Sequence, residues 1–312
     1  MNNGTNASDN YEPLADAFSY RLLGTGQQWG YYTFTFPALR YLLDRLDGDE
    51  VFAIGAEDTV GAPVGLALGR VAASKTEFRQ AELMSIYVIP GMRRRGVGTH
   101  LLDTFTVHCR VLGLARIRIT YMTGQASTPA LEAILARAGW TPPETRMLVV
   151  QATLDSIRHA PWIRVLPLPK GTQIVPWVDL TASDRATLAE SQNTQPWIPH
   201  DLYPFNHEAG CEPTTSLALK EDGHVVGWVI NHRVGRVLRY TCAFMHPRRQ
   251  RKCRILLLYN EAVSRMPQAG FDTGIWTVPT WHPDHAAFAR RWMVPYAIQF
   301  NETRGSALLL LR

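Results

Sequence analysis

Two spacings of apolar residues alternate along this 312-residue chain. Short apolar or alternating runs bounded by turn residues predict strands over 18–23, 51–55, 64–71, 81–89, 116–121 and 146–152. Helical spacing predicts helices over 34–46, 99–112 and 129–137, the last ended by Gly139. The turn-rich stretch 57–63 joins two strands into a hairpin. After it the order becomes strand, helix, strand, helix, strand, which predicts a mixed sheet with helices on both sides. Periodicity then fades over 160–176, where Pro161, Pro167, Pro169 and Pro176 gather, and this reads as a linker.

Beyond the prolines the same order returns. A helix is predicted over 181–192, a hairpin of 216–219 and 225–231 around Glu221-Asp222-Gly223, and a strand over 237–245. A helix over 255–262, a strand over 271–278 and a helix over 284–292 complete it. Val88-Ile89-Pro90 is answered by Met245-His246-Pro247, and Ile134-Leu135-Ala136-Arg137 by Ala287-Phe288-Ala289-Arg290. A small change in loop length brings both pairs to one offset near 157, so an internal duplication explains the pattern. The expected organisation is a loose tail at 1–16, a first domain over 17–157, a linker over 158–172 and a second domain over 173–312. The fold class is α/β, with a mixed, mostly antiparallel twisted sheet flanked by helices in each domain.

Composition narrows the class. Apolar residues make up 46% and charged residues 19%, enough to build a core and too apolar for a disordered chain. No apolar run approaches the roughly 20 residues that span a bilayer, and the first twenty residues lack the basic and greasy regions of an export signal. Four cysteines without CxxC spacing do not make a disulfide scaffold or a zinc site. A cytoplasmic protein without membrane contact is expected. The net charge of +5 lies wholly in the second half, since residues 1–160 carry 15 basic and 15 acidic groups. Only four of the 32 basic residues are lysines; a global +5 is weak evidence for nucleic acid, which is not expected as the partner.

The stretch with chemistry in it runs from Glu82 to Leu102. A strand meets Pro90, then Arg93-Arg94-Arg95-Gly96-Val97-Gly98-Thr99 opens a helix. Such a turn presents backbone N–H groups at a helix N-terminus, where unpaired donors and the macrodipole favour an anion. Glycine lets the main chain approach a phosphate without a Cβ between them. The loop lacks the Gly-Lys-Ser/Thr of a Walker A motif and the third glycine of a Rossmann fingerprint.

With its flanks, Arg93-x-x-Gly96-x-Gly98 resembles motif A of the GNAT superfamily of acyl-CoA N-acyltransferases. Thr128 to Trp140, a helix closing in Gly139 before an aromatic, is similar to the family's motif B. The resemblance spans about 18–152 in the family's element order, and the second half matches it in outline, so the whole resembles a tandem GNAT. It implies that the backbone of Ile86, Tyr87 and Val88 pairs with a pantetheine arm. It implies further that the amides of Arg94–Thr99 hold the pyrophosphate of acetyl-CoA or another acyl-CoA, with no metal. Glu82 lies at the spacing of the family's general base, needed because an alkyl ammonium with a pKa of about 10.4 is protonated at neutral pH. A salt-bridged strand carboxylate is the competing reading of Glu82. Where the family often has a tyrosine as general acid, this chain has Leu135, and an asparagine position holds Thr128. Tyr121 and Tyr87 are the substitutes, and a thiol with a pKa near 8.5 is also a fair leaving group unaided.

In the second copy Cys253 and Ile255 stand where Gly96 and Gly98 do, Gln250 at Arg93, and Arg239 at Glu82, so it reads as catalytically dead. The acceptor is expected to be a small-molecule or peptide amine. A longer fatty acyl donor, or a non-catalytic acyl-CoA-binding protein, are the alternatives. The basic run 248–254 and the aromatics Trp29, Tyr31, Tyr32 and Phe34 read first as a solvated helix entrance and as core. His282-x-x-His285 has two-ligand spacing without a third ligand nearby.

Overall fold

The structure, a computed structural model, describes residues 18–72, 79–164, 167–250 and 254–310. The tail read at 1–16 and Cys253 lie outside them. The chain divides into two compact units, Met1–Glu144 with Arg304–Arg312, and Thr145–Thr303.

The first unit opens as an antiparallel meander of β1 (Phe18–Leu22), β2 (Val51–Asp58), β3 (Pro63–Ala72) and β4 (Gln80–Val88), followed by β5 (Arg116–Met122) parallel to β4. Six consecutive residues of β2, Val51 to Ala56, are buried because both sheet faces are covered. Phe52, Ile54 and Ala56 pack in one core with Leu101 and Phe105 of α2 (Val97–Val111), after the one-turn α1 (Arg40–Leu43). Val51 and Ala53 pack in another with Tyr31, Leu42 and Leu43. The period of two therefore sorts one strand between two cores. Helix α2 lies close on β3 because Gly65 and Gly69 leave room. A Cβ at Gly69 would stand 2.5 Å from the Phe105 ring. α3 (Thr128–Arg137) comes after β5.

The helix expected over 34–46 is instead two 3-10 turns, Gln28–Phe34 and Pro37–Leu39, followed by α1. Pro37 holds Phe36 extended (φ −61°, ψ 143°), which stops a continuous helix from running through.

The second unit repeats the plan. β6 (Glu144–Thr153) and α4 (Leu154–Arg158) lead to β7 (Thr172–Pro176), which lies inside the proline-rich stretch read as linker. α5 (Ala182–Thr194) starts with a reciprocal cap between Thr181 and Asp184. β8 (Leu217–Glu221), β9 (His224–Val234) and β10 (Val237–Met245) form a second meander with β7. α6 (Pro247–Gln250), α7 (Ile255–Arg265), β11 (Thr273–Pro279) and α8 (Pro283–Phe288) complete the copy, with β11 parallel to β10. Tyr240 and Trp276 stack in its core at 4.5 Å between ring centroids.

The units end differently from the domains expected at 157 and 173. β6 pairs with β11, from Thr153↔Thr273 to Met147↔Pro279, so it serves the second unit. The chain closes with β12 (Gln299–Leu309), a strand the apolar spacing did not announce. Its end serves the first unit: Thr141 N–H donates to Ala307 O at 2.8 Å and Leu310 N–H to Ala115 O at 2.9 Å. Strand membership is decided by pairing across more than a hundred residues, which no local pattern carries. Among the described residues no helix is long and apolar enough to cross a membrane.

Candidate functional site

The candidate site forms where β4 and β5 part. Their parallel pairing runs from Gln80↔Arg116 to Leu83↔Ile119 and stops, while β3 stays paired to β4 as far as Val88. The β3–β4 register shifts between Leu68 and Gly69, which face Ser85 and Leu83, so Met84 is an extra residue, a β-bulge. Before the bulge Ala81 and Leu83 face the α2 core; after it Ile86 and Val88 do. Met84 packs toward the opposite core, and the Tyr87 ring lies 5.3 Å from Phe34. The expected trio Ile86, Tyr87 and Val88 thus lies on the stretch of β4 that β5 has left.

Past Val88 the chain turns through Pro90–Met92 into the helix. Arg94 and Gly96 both take left-handed backbone, at φ 61° and 84°. For arginine that conformation is strained; for glycine it is free. Gly96 then stands as the N-cap of α2 with no side-chain cap. The amides of Arg94, Arg95, Gly96, Val97 and Gly98 have no hydrogen-bond partner among the described residues, whereas Thr99 N–H donates to Gly96 O at 2.9 Å. The loop is a nest of five open donors rather than the six expected. Arg93 braces it, its Nε donating to Val88 O at 3.0 Å. The Arg95 guanidinium lies over the Phe18 ring at 5.1 Å.

Glu82 faces Arg70 across the strand pair, Oε2 to Nη2 at 3.7 Å, with 31% of its side chain exposed. That is an ion pair too long for a hydrogen bond, and among the described residues no side chain hydrogen-bonds the Glu82 carboxylate. Tyr121, the expected acid, is differently placed. Its hydroxyl donates to Glu132 Oε1 at 2.8 Å, and Arg304 Nη1 lies 3.0 Å from the same oxygen. Burial, and then that hydrogen bond, push the Tyr121 pKa well above the ordinary value. Leu135 is buried in the α2 core. Of the aromatic run, Tyr31 and Phe34 are core, and Tyr31 donates to Glu57 at 2.9 Å. Trp29 is 71% exposed and stacks on Tyr32 at 5.5 Å. Sequence reasoning missed Arg70, Glu132 and Arg304; the last sits on β12, the strand that went unread.

Residues 20–135 match the model of the acetyltransferase (GNAT) family. Over this segment, a little over a third of its length, the chain is similar to the GNAT family. GNAT enzymes transfer an acyl group from an acyl-CoA co-substrate to an amine, and this chain is a GNAT-type N-acyltransferase. No curated protein matches it. Solved structures share the fold at low identity. A GCN5-related N-acetyltransferase from Sphaerobacter thermophilus is 18% identical with a TM-score of 0.57, over 94% of this chain and 96% of that one. A tandem GNAT protein from the clavulanic acid biosynthesis pathway is 16% identical at 0.58, over 94% and 98%. A fungal glucosamine N-acetyltransferase region is 15% identical at 0.59, over 94% of this chain but only 38% of the larger fungal chain.

The second GNAT-like unit repeats the site's frame with other side chains. β10 pairs with β11 only from Val237 to Tyr240, and a register shift leaves Thr241 as its extra residue. Gln250 Nε2 donates to Met245 O at 2.9 Å, as Arg93 does to Val88. Of the basic run, Arg249 and Arg254 both close on Glu221. Burial pushes the Glu221 carboxyl up, and the two guanidiniums more than offset it, so its pKa falls below the ordinary value. His282 Nε2 lies 2.8 Å from Asp201 Oδ2, which also accepts from Trp281. Among the described residues no three His, Cys, Asp or Glu side chains gather as a metal site.

Proposed function

We propose that the first unit is the acyltransferase, with acetyl-CoA as donor and Glu82 as general base, and that the second unit does not bind CoA through its corresponding loop. The observation that carries this reading is the nest of five open amides at the mouth of the β4–β5 splay. A pyrophosphate supplies acceptors for such donors, and α2's dipole adds to the attraction. The left-handed turn at Gly96 is what aims the amides together.

The thioester supplies an activated acyl carbon; the rest is done by this chain. The free edge of β4 from Met84 to Val88 aligns the pantetheine arm beside the bulge. Its N–H groups also stand as donors for the carbonyl oxygen of the acyl group. Glu82, partly exposed and loosely held by Arg70, takes a proton from the incoming ammonium, directly or through one water. Tyr121 keeps its proton, donating it in a hydrogen bond to Glu132 that ties β5 to α3, so the thiolate departs unaided, consistent with a thiol pKa near 8.5. The acceptor is a small-molecule or peptide amine. The three described cysteines, Cys109, Cys211 and Cys242, are unpaired, which suits the cytoplasm where acyl-CoA is made.

Native mass spectrometry of the full chain with acetyl-, malonyl- and palmitoyl-CoA tests the reading. One CoA per chain, lost in Gly96→Val, is expected, with acetyl-CoA bound at least as well as the longer donors. Two CoA per chain, or tight binding by Gly96→Val, would overturn the assignment of the site to this loop.

A further inference from the structure

The second unit carries a cleft at its own splay that acyl transfer in the first unit leaves unexplained. A cavity of about 280 Å³ opens there, lined by Asn206, His207, Ala209, His232, Arg239 and Thr241. Arg239 holds the position that Glu82 holds in the first unit. It is paired across the strands with His232 just as Glu82 is with Arg70. The sign of the charge at the acceptor position is therefore reversed. An ammonium, the natural guest beside Glu82, would be repelled here.

Most polar groups around the cleft are already engaged. His232 Nε2 donates to Ala209 O, an acceptor only, at 3.2 Å, and its Nδ1 lies 2.8 Å from the Thr241 hydroxyl, so both ring nitrogens are engaged. His207 Nε2 donates in the same way to Asp201 O at 2.9 Å, and Asn206 Nδ2 donates to His200 O at 3.3 Å. The acids of the adjoining segments are also spent: Asp201 on Trp281 and His282, Glu208 on Arg185 and Trp177, Glu212 on Thr215. The Arg239 guanidinium alone makes no hydrogen bond or ion pair among the described residues. It is an exposed cation with a planar fork of donors at the rim of an open groove.

We propose that this cleft is a binding site for a small organic carboxylate, anchored bidentately by Arg239. One fork and one positive charge match a monoanion. A phosphate dianion calls for a second cation, and Arg249 and Arg254 are held by Glu221.

Fluorine NMR on the full chain tests this with three probes of one shape: 4-fluorobenzoate, 4-fluorobenzyl alcohol and 4-fluorobenzylamine, each at millimolar concentration. The benzoate is expected to broaden in a saturable way and the amine not at all, with the alcohol at least about tenfold weaker than the benzoate. Arg239→Gln should weaken the benzoate by about tenfold or more, Arg239→Lys by less, and Arg248→Gln, outside the cleft, not at all. Inorganic phosphate at equal concentration should not displace the benzoate. No saturable benzoate binding, equal binding of benzoate and alcohol, or unchanged affinity in a folded Arg239→Gln variant would each overturn the proposal. Displacement by phosphate would overturn the choice of carboxylate.

Discussion

Val88 and Met245 end matching strands, and each offers its carbonyl oxygen to a side chain five residues on, Arg93 in one unit and Gln250 in the other. Up to that contact the two copies are built alike. Each has four parallel pairs, then a bulge, then a splay. Beyond it they diverge. The first copy bends through left-handed Arg94 and Gly96 and leaves its amides open. The second ties Arg249 and Arg254 inward to Glu221, and its α7 begins after Arg254 in right-handed backbone. The sheet supplies the opening in both. A left-handed glycine at the loop and a carboxylate on the strand, Gly96 and Glu82, are what the first copy has and the second lacks at the matching positions.

The largest effect that would sharpen this contrast is at Glu82. Glu82→Gln should lower kcat by about 10²-fold or more near neutral pH while acetyl-CoA affinity stays within about twofold. As pH rises the variant should recover by nearly tenfold per unit, since the amine then loses its own proton below a pKa of about 10.4. Steady-state rates across the alkaline range read both. Equal turnover by variant and parent at neutral pH would return Glu82 to the role of a salt-bridged strand residue. Arg239→Glu, its mirror, should give the second unit no acyl transfer, because Cys253 and Ile255 stand where the first loop has glycines.

Next comes the clamp that closes the second loop. Glu221→Gln leaves a largely buried and a partly exposed guanidinium, Arg254 and Arg249, without their anion and should cost about 2 kcal/mol of stability. The folded Glu221 pKa lies below its unfolded value. Its contribution is therefore complete above the ordinary glutamate pKa of about 4.3 and fades as pH falls through the folded value. Thermal melts of parent and variant should differ by several degrees at neutral pH and converge in acid. A constant gap down to low pH would mean the clamp is not electrostatic.

A smaller pair of changes compares backbone crowding. A Cβ at Gly65 would stand 2.9 Å from Leu101 and 3.1 Å from Tyr87 O; one at Gly227 would stand 2.5 Å from Met245 Cε and 3.1 Å from Phe244 O. Leu101 is pinned in α2's core, while Met245 ends in a flexible thioether. Gly65→Ala should therefore cost about 2 kcal/mol and Gly227→Ala about 1 kcal/mol in urea melts. The reverse order would place the rigid neighbour in the second unit.

Much of this was legible in the sequence for identifiable reasons. β2 and β3, covered on both faces, read as short continuous apolar runs, β4 alternates, and α2, α3 and α7 carry a clear apolar stripe. The Arg93-x-x-Gly96-x-Gly98 loop is local, so its residues together with the flanking strand and helix carry the resemblance to motif A. The rest depends on distant partners. β12 runs Gln299-Phe300-Asn301-Glu302-Thr303-Arg304, polar enough to read as loop, and becomes a strand only by pairing. With β12 unread, Arg304 was invisible, and so was the bond that engages Tyr121 through Glu132. Phe34–Leu46 had helical apolar spacing, but the geometry that Pro37 imposes on Phe36 outweighed it.

Tyr121 gives the finest discrimination between the copies. The register that pairs Gln80 with Arg116 pairs Val237 with Thr273, which puts Val278 in the second unit at the place of Tyr121. Only the first copy has a hydroxyl there, so either it serves the chemistry or it serves the packing of α3. In the packing role Tyr121→Phe removes one hydrogen bond to Glu132, leaves that carboxylate to Arg304, and costs about 1 kcal/mol. Turnover should then stay within about twofold, and the alkaline limb of the pH–rate profile should not move. Were Tyr121 the acid that protonates the departing thiolate, the same substitution would cut kcat by about 10²-fold and abolish that limb. A single variant measured for stability and rate separates the two roles, because the missing hydroxyl is felt by the fold in one case and by the leaving group in the other.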